Sequence, residues 1–232
     1  MRHLILLLTI LILLSGCASP AVPPAQPTET APGFTVQETT APPTIVPTEP
    51  EDDALVRVKD YLPDVQQELM YATRENFTGE QIYCFYEAYL RYGTVKKLQA
   101  VSQELSQMGL NLKIWDGFRP VSAQFRLWEI CPDPTYVANP ETGFSSHSRG
   151  NTVDLTLIDE TGQELEMPTG FDNFSALADR DYSDCTAVAK ENAQLLQDVM
   201  ERGGFTGYFG EWWHFSDTQD YPVEENFEPP AG

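Results

Sequence analysis

Residues 145–157 read SSHSRGNTVDLTL, and the rest of the chain is arranged around this run. Val153, Leu155 and Leu157 alternate with Asp154 and Thr156, which is the period of a strand and predicts one over 153–158. Gly150-Asn151 followed by the β-branched Thr152-Val153 argues against a helix running on from His147. His147 is therefore expected on a loop that feeds the strand. Asp154 is expected on the face opposite Val153 and Leu155, an isolated carboxylate in an otherwise apolar strand. Burying a carboxylate is costly unless it is paired or bound to metal. An imidazole and a carboxylate at this separation suit a divalent zinc ion, which takes nitrogen and oxygen ligands at about 2 Å.

Working outward, Asn111–Trp115 predicts a second strand, with Leu112 and Ile114 alternating against Lys113 and Trp115, and it ends at the turn signal Asp116-Gly117. Before it, Thr94–Leu110 has helical spacing, with Leu98, Val101, Leu105 and Met108 on one stripe and Gly109 as the stop. Asp184–Arg202 predicts another helix, capped by Ser183 or Asp184 and lined by Val188, Leu195 and Val199, with Gly203-Gly204 ending it. Phe205–Phe215 is aromatic and glycine-rich, more strand than helix. Strands and helices follow one another without a regular βαβ alternation, so an α+β domain is expected.

The amino-terminal part reads differently. Met1-Arg2-His3 is a positive start, Leu4–Leu14 is apolar except for Thr9, and Leu14-Ser15-Gly16-Cys17 follows. The apolar run is short for a bilayer span and suits a signal peptide. Its end resembles the bacterial lipobox, so residues 1–17 are expected to be a lipoprotein signal with Cys17 as the lipidated residue. Residues 18–52 are rich in Pro, Thr, Ala and Glu without apolar periodicity, which predicts a disordered tether. The folded domain is expected over 53–232, held outside the cytoplasmic membrane by the anchor. Cys84, Cys131 and Cys185 then remain, and their spacing leaves a disulfide with one free thiol or three free thiols equally open.

Among the 232 residues, 14 Lys and Arg stand against 35 Asp and Glu, a formal charge of −21. A nucleic-acid partner requires a basic footprint, so that class is excluded. Of the 3 histidines, His3 leaves with the signal peptide, so the mature chain keeps His147 and His214. His214 lies in Gly210-Glu211-Trp212-Trp213-His214-Phe215. A regular strand would send Glu211 and His214 to opposite faces; they converge only if the chain turns or bulges, which Gly210 permits. In Trp115-Asp116-Gly117-Phe118-Arg119-Pro120, an arginine just past a strand end is placed to reach into a cleft and steady an oxyanion. Each run alone also fits an ordinary packed histidine, solvated carboxylate or turn arginine. Together, with no spare histidine in the domain, they point to one site.

The runs SSHSRGNTVDLTL, DGFRP and EWWHF, with Tyr71–Gly79 (YATRENFTG), resemble the D-alanyl-D-alanine dipeptidase family (VanX type) of zinc peptidases, in the family's order and over about residues 60–227. The resemblance implies an antiparallel sheet flanked by helices with one zinc ion beside the sheet. It places His147, Asp154 and His214 on the metal ligands, Glu211 on the catalytic carboxylate and Arg119 on the arginine that steadies the substrate carbonyl. Tyr71, Asp116 and Ser145 fall near the substrate, and Asp172 falls on the carboxylate that meets the dipeptide's ammonium group. The implied substrate is D-Ala-D-Ala or a peptidoglycan-derived peptide. One departure stands out: the stretch between Arg119 and His147 is shorter than in the dipeptidases, which would open the wall that limits the site to free dipeptides. A carboxypeptidase trimming stem peptides is therefore the alternative within enzymes. A non-catalytic wall-binding lipoprotein is the alternative outside them, which has no need for both Glu211 and Arg119.

Overall fold

The structure, a computed structural model, describes residues 48–232. The signal peptide, Cys17 and nearly all of the tether lie outside the described residues. In chain order the elements are β1 (Leu55–Arg57), β2 (Gln66–Gln67), β3 (Tyr89–Arg91), α1 (Tyr92–Ser106), β4 (Leu110–Asp116), α2 (Val121–Ile130), β5 (Thr152–Asp159), α3 (Ala187–Arg202), β6 (Phe205–Gly207) and β7 (His214–Asp217). Helices and strands are intermixed, the α+β arrangement read from the sequence.

A five-stranded sheet runs β2-β4-β5-β7-β6, and β1 pairs with β3 in a separate ribbon. Every pair in the larger sheet is antiparallel except β2 with β4, which is parallel. The expected antiparallel sheet is thus corrected at one edge. The reason is the connection: the chain between β2 and β4 passes through β3 and α1, the long crossover that a parallel pair needs.

β5 is the spine. Its residues from Thr152 to Ile158 are all buried, as expected of a central strand covered on both faces. Ile114 stands opposite Leu155, and Leu112 opposite Leu157. Val153 stands opposite Phe215. With Leu98, Val101 and Leu105 of α1 and Leu196, Val199 and Met200 of α3, these side chains form one core. α1 packs on β4 and α3 packs on β5, which leaves the opposite face of the sheet for polar work.

Two helices begin or end elsewhere than expected. α1 stops at Ser106, so Met108 falls off the apolar stripe and is exposed. Gly109 turns the chain with φ 71°, a conformation that favours glycine. α3 is capped by Thr186, whose hydroxyl accepts from the Ala189 N–H at 3.1 Å. The Ser183 N–H is already held by the Asp181 carboxylate in a local turn, so neither Ser183 nor Asp184 starts the helix. The buried side is Ala189, Ala193, Leu196, Val199 and Met200, and Val188 is exposed. Cys84, Cys131 and Cys185 are free thiols.

Candidate active site

Strand register assembles the site. Asp154 on β5 stands directly opposite Asp116 on β4 and His214 on β7, so three polar residues cross neighbouring strands in one row. The pairing shifts by one residue between Ile114 and Asp116. Unbroken alternation would put Trp115, not Asp116, opposite Asp154. The bulge turns Asp116 onto the Asp154 face, a re-aiming for which bulges are used beside active sites.

His147 reaches this row from a short 3-10 turn, Ser146–Arg149. The Ser145 hydroxyl accepts from the His147 N–H at 3.3 Å. Gly150 closes the turn with φ 74° and sends the chain into β5. His147 Nδ1 lies 2.8 Å from the Gly117 carbonyl, and only an N–H satisfies a carbonyl, so the ring proton sits on Nδ1. Nε2 is left as a bare lone pair. It lies 3.2 Å from Asp154 Oδ2 and 3.3 Å from His214 Nδ1. His214 Nδ1 lies 3.0 Å from Asp154 Oδ1, yet that buried oxygen makes no hydrogen bond; the distance is short but the angle is wrong. Burial by itself would push the Asp154 carboxyl up, and protonated imidazoles beside it would hold it below the usual carboxylate range.

Converging lone pairs repel unless a cation lies among them. In a tetrahedral zinc site with bonds of about 2.0–2.1 Å, neighbouring ligand atoms are about 3.3 Å apart. His147 Nε2 and His214 Nδ1 stand 3.3 Å apart, that edge, and Asp154 turns one oxygen to each, Oδ2 at 3.2 Å and Oδ1 at 3.0 Å. Nitrogen, nitrogen and carboxylate oxygen are also the donor set that zinc takes in hydrolases. The residues therefore fit the metal.

Glu211 sits before β7 rather than in it. The Glu211 N–H bonds the Tyr208 carbonyl, and the His214 N–H bonds the Glu211 carbonyl at 3.4 Å. The segment 205–215, expected to be more strand than helix, is two strands with a turn between them. That turn brings Glu211 Oε2 to 3.5 Å from His214 Nδ1. Burial pushes the Glu211 carboxyl up, against the pull of His214.

On the other side of the row, Arg119 is buried and its guanidinium lies over the Tyr71 ring, 4.8 Å from the centroid. Nε and Nη2 donate to Asp116 Oδ2 at 3.0 and 2.6 Å, and Nη1 donates to Gln124 Oε1 at 2.9 Å. Three of the five guanidinium N–H donors are so used, leaving two for a substrate oxygen. Burial would lower the Arg119 pKa, and Asp116, Tyr71 and Asp154 together more than offset it. Tyr71 donates its hydroxyl to Asp172 Oδ2 at 2.8 Å. Burial, with Asp154 nearby, pushes the Asp172 carboxyl well above the usual range.

These groups surround a cavity of about 240 Å³ lined by Tyr71, Arg119, Ser145, His147, Asp154, Asp172, Glu211 and His214 together with aromatic residues. Asp116 is placed differently. It is fully buried behind Arg119, outside the lining, and its other oxygen accepts from the Tyr83 hydroxyl and the Gly117 N–H, both at 2.9 Å. It holds Arg119 instead of lying beside the substrate, because the bulge packs it under the guanidinium. Tyr83, Gln124 and Ser146 escaped the sequence reading. Ser146 Oγ lies 3.4 Å from His214 Nε2. None of the three carries a pattern of its own; only the fold brings them in.

A buried carboxylate beside a candidate three-ligand metal site, with a guanidinium in the same small cleft, is the arrangement of a metallopeptidase. A family model described as D-ala-D-ala dipeptidase, Peptidase_M15, matches residues 51–229, and the chain belongs to that family of zinc peptidases. The D-alanyl-D-alanine dipeptidase of Escherichia coli is 41 % identical over 172 residues, covering 73 % of this chain and 88 % of its own length. That of Enterococcus faecalis is 31 % identical over 185 residues, covering 71 % and 91 %. That of Streptomyces coelicolor is 30 % identical over 201 residues, covering 75 % and 96 %.

The Asp116–Arg119 pair yields a stability prediction. Asp116→Asn leaves the guanidinium buried without its anion, which costs about 3–5 kcal/mol. Denaturant titration of the metal-free protein should show that loss; a change under about 1 kcal/mol would mean Arg119 does not depend on Asp116.

Proposed function

We propose that the protein hydrolyses the free dipeptide D-Ala-D-Ala to two D-alanines, with one zinc ion per domain held by His147, Asp154 and His214. The observation that carries this reading is the small cleft into which Arg119, Asp172, Glu211 and the three ligand residues all open. Its volume of about 240 Å³ is below the roughly 300–1,000 Å³ of sites for drug-sized ligands. The relatives' names describe the same substrate.

When bound, zinc supplies Lewis acidity, acidifying a water and polarising a carbonyl. Glu211 takes the proton of the attacking water and returns it to the leaving amine; its raised pKa suits both transfers. The two spare N–H groups of Arg119 hold the carbonyl oxygen as it gains negative charge. Asp172, oriented by the Tyr71 hydroxyl, receives the ammonium, whose charge favours the ionised carboxylate. Ser145 lines the same cleft with its hydroxyl.

The short stretch before His147 favours the dipeptide after all. Pro134, Tyr136 and Phe144 from it line the cavity, and the Tyr136 ring packs on Phe174 with centroids 4.8 Å apart. Such a wall supports a dipeptidase over a carboxypeptidase that admits stem peptides. The lipobox at Leu14-Ser15-Gly16-Cys17 and the tether over 18–52 support an enzyme anchored by Cys17 outside the cytoplasmic membrane, with 53–232 as the catalytic domain and turnover of peptidoglycan dipeptide as its role.

Three outcomes are expected. Glu211→Gln keeps one zinc per chain and loses kcat by about a hundredfold or more, whereas His214→Ala loses zinc and activity together; zinc content and turnover measured side by side separate the base from the ligand, and near-normal kcat in Glu211→Gln sinks its role. On substrates, kcat/KM for D-Ala-D-Ala should exceed that for its N-acetyl form and for a pentapeptide ending in D-Ala-D-Ala by about a hundredfold, a gap of about 2.7 kcal/mol. Equal or faster cleavage of the pentapeptide moves the protein to the carboxypeptidases, and no cleavage of any of them leaves a wall-binding protein. Cys17→Ser should release the chain from the membrane fraction or leave it unprocessed, and wild-type protein found wholly in the cytoplasm overturns the location.

A further inference from the structure

The turn that carries Glu211 leads into β7 at His214, and three carbonyls along it, two of them already bonded within the backbone, converge on one side chain outside the cavity lining. Arg180 Nε donates to the Tyr208 carbonyl at 2.8 Å, and Nη2 donates to the carbonyls of Trp212 at 3.0 Å and His214 at 2.9 Å. Nη1 reaches Gln197 Oε1 on α3 at 3.3 Å. The guanidinium also lies over the Phe215 ring, 4.4 Å from its centroid. Every one of these hydrogen bonds ends on a neutral oxygen, so the charge serves to hold backbone and not to pair with a carboxylate. Two backbone bonds run alongside, from Arg180 N to Phe209 O at 3.0 Å and from Trp212 N to Ala178 O at 2.9 Å.

We propose that Arg180 is a positioning residue for both halves of the chemistry, fixing the turn so that His214 meets the metal and Glu211 meets the water. The reading rests on the ligand assignment above. Carbonyls before and after Glu211 converge on one planar fork, which a lysine ammonium on a flexible stem does not reproduce. Gly207 is part of the device. A Cβ there would come within 2.3 Å of the guanidinium carbon, and Gly207 stands opposite Phe215 in the β6–β7 pair. Glycine at 207 lets the guanidinium lie flat between the hairpin backbone and α3.

The test uses the full chain with Arg180→Ala, Arg180→Lys, Gly207→Ala and the Arg180→Ala/Gly207→Ala double variant. Zinc affinity is read by chelator competition, kcat at zinc saturation, and the Tm of the metal-free protein. Arg180→Ala should weaken zinc binding by about 10–100-fold, the scale of losing support behind a metal ligand, and lower the zinc-saturated kcat while KM changes little. Arg180→Lys should recover only part, and added guanidinium ion should restore affinity and kcat to the alanine variant. Gly207→Ala, which displaces the fork without removing it, should repeat both losses and add nothing in the double variant; it carries the test if Arg180→Ala does not fold. Zinc affinity and kcat equal to wild type in Arg180→Ala overturn the inference, as do losses that follow the metal-free Tm alone and ignore guanidinium. Wild-type chain without zinc affinity overturns the ligand assignment and this inference with it, whereas wild-type affinity matched by Arg180→Ala overturns this inference alone.

Discussion

A carboxylate lies in the central strand of the sheet, and the fold is organised around making that position tolerable. Asp154 is 3 % exposed. A lone anion so placed would protonate or unfold the strand around it. Two imidazoles face it within 3.2 Å, each delivered by a different device. His214 comes by register, from the adjacent strand. His147 comes from a tight turn that ends at a left-handed glycine. The Gly117 carbonyl then fixes which His147 nitrogen carries the proton. That hydrogen bond suits a ligand set, because it leaves the Nε2 lone pair free on the side of Asp154. Support of this kind behind a ligand is what sets its orientation and basicity.

The second buried charge is handled by opposite logic. Arg119 is not left to find an anion in the substrate; Asp116 is supplied in advance, three residues earlier. The carboxylate is itself saturated by Tyr83 and by a backbone N–H. Gln124 extends the network to the Ala138 carbonyl at 2.8 Å, which joins the guanidinium to the loop that walls the cleft. A fully satisfied network is rigid, and rigidity matters here because electrostatic stabilisation acts only if the donors are in place before charge develops.

The strand β5, the odd position of Asp154 and the need for a turn between Glu211 and His214 were legible in the sequence because each is a local pattern: alternation, a polar break in it, a glycine. The resemblance of four separated runs added the ligand set and the role of Glu211. What stayed hidden depends on pairing across the chain. The bulge at Trp115 is defined by its partner strand and changes no local alternation, so Asp116 read as a residue near the substrate and turned out to lie under Arg119. The parallel entry of β2 rests on a two-residue strand too short to show a period. Thr186 lost out to Ser183 and Asp184 as a cap because all three are good caps, and the competing turn at Asp181 is visible only in three dimensions. Gln124 and Arg180 bear side chains that are usually solvated, and nothing in their neighbourhoods marks them.

The balance of charge in the cleft bears on selection. Three carboxylates, Asp154, Asp172 and Glu211, line it against the single guanidinium of Arg119. With all three ionised, a divalent cation at the ligand row brings that tally to neutrality, since three negative charges then meet three positive ones. The chain around it carries a formal charge of −21, a field that draws cations and repels anions at long range. The proposed substrate is a zwitterion without net charge, so that field neither gathers nor excludes it, and selection falls to contacts shorter than the roughly 8 Å screening length. Losing the ammonium by acylation leaves Asp172 without a counter-charge in a site whose burial already disfavours its ionised form, and the substrate's own amide offers nothing in exchange. A cleft built this way discriminates through the group that is missing, which is where polar recognition is strongest.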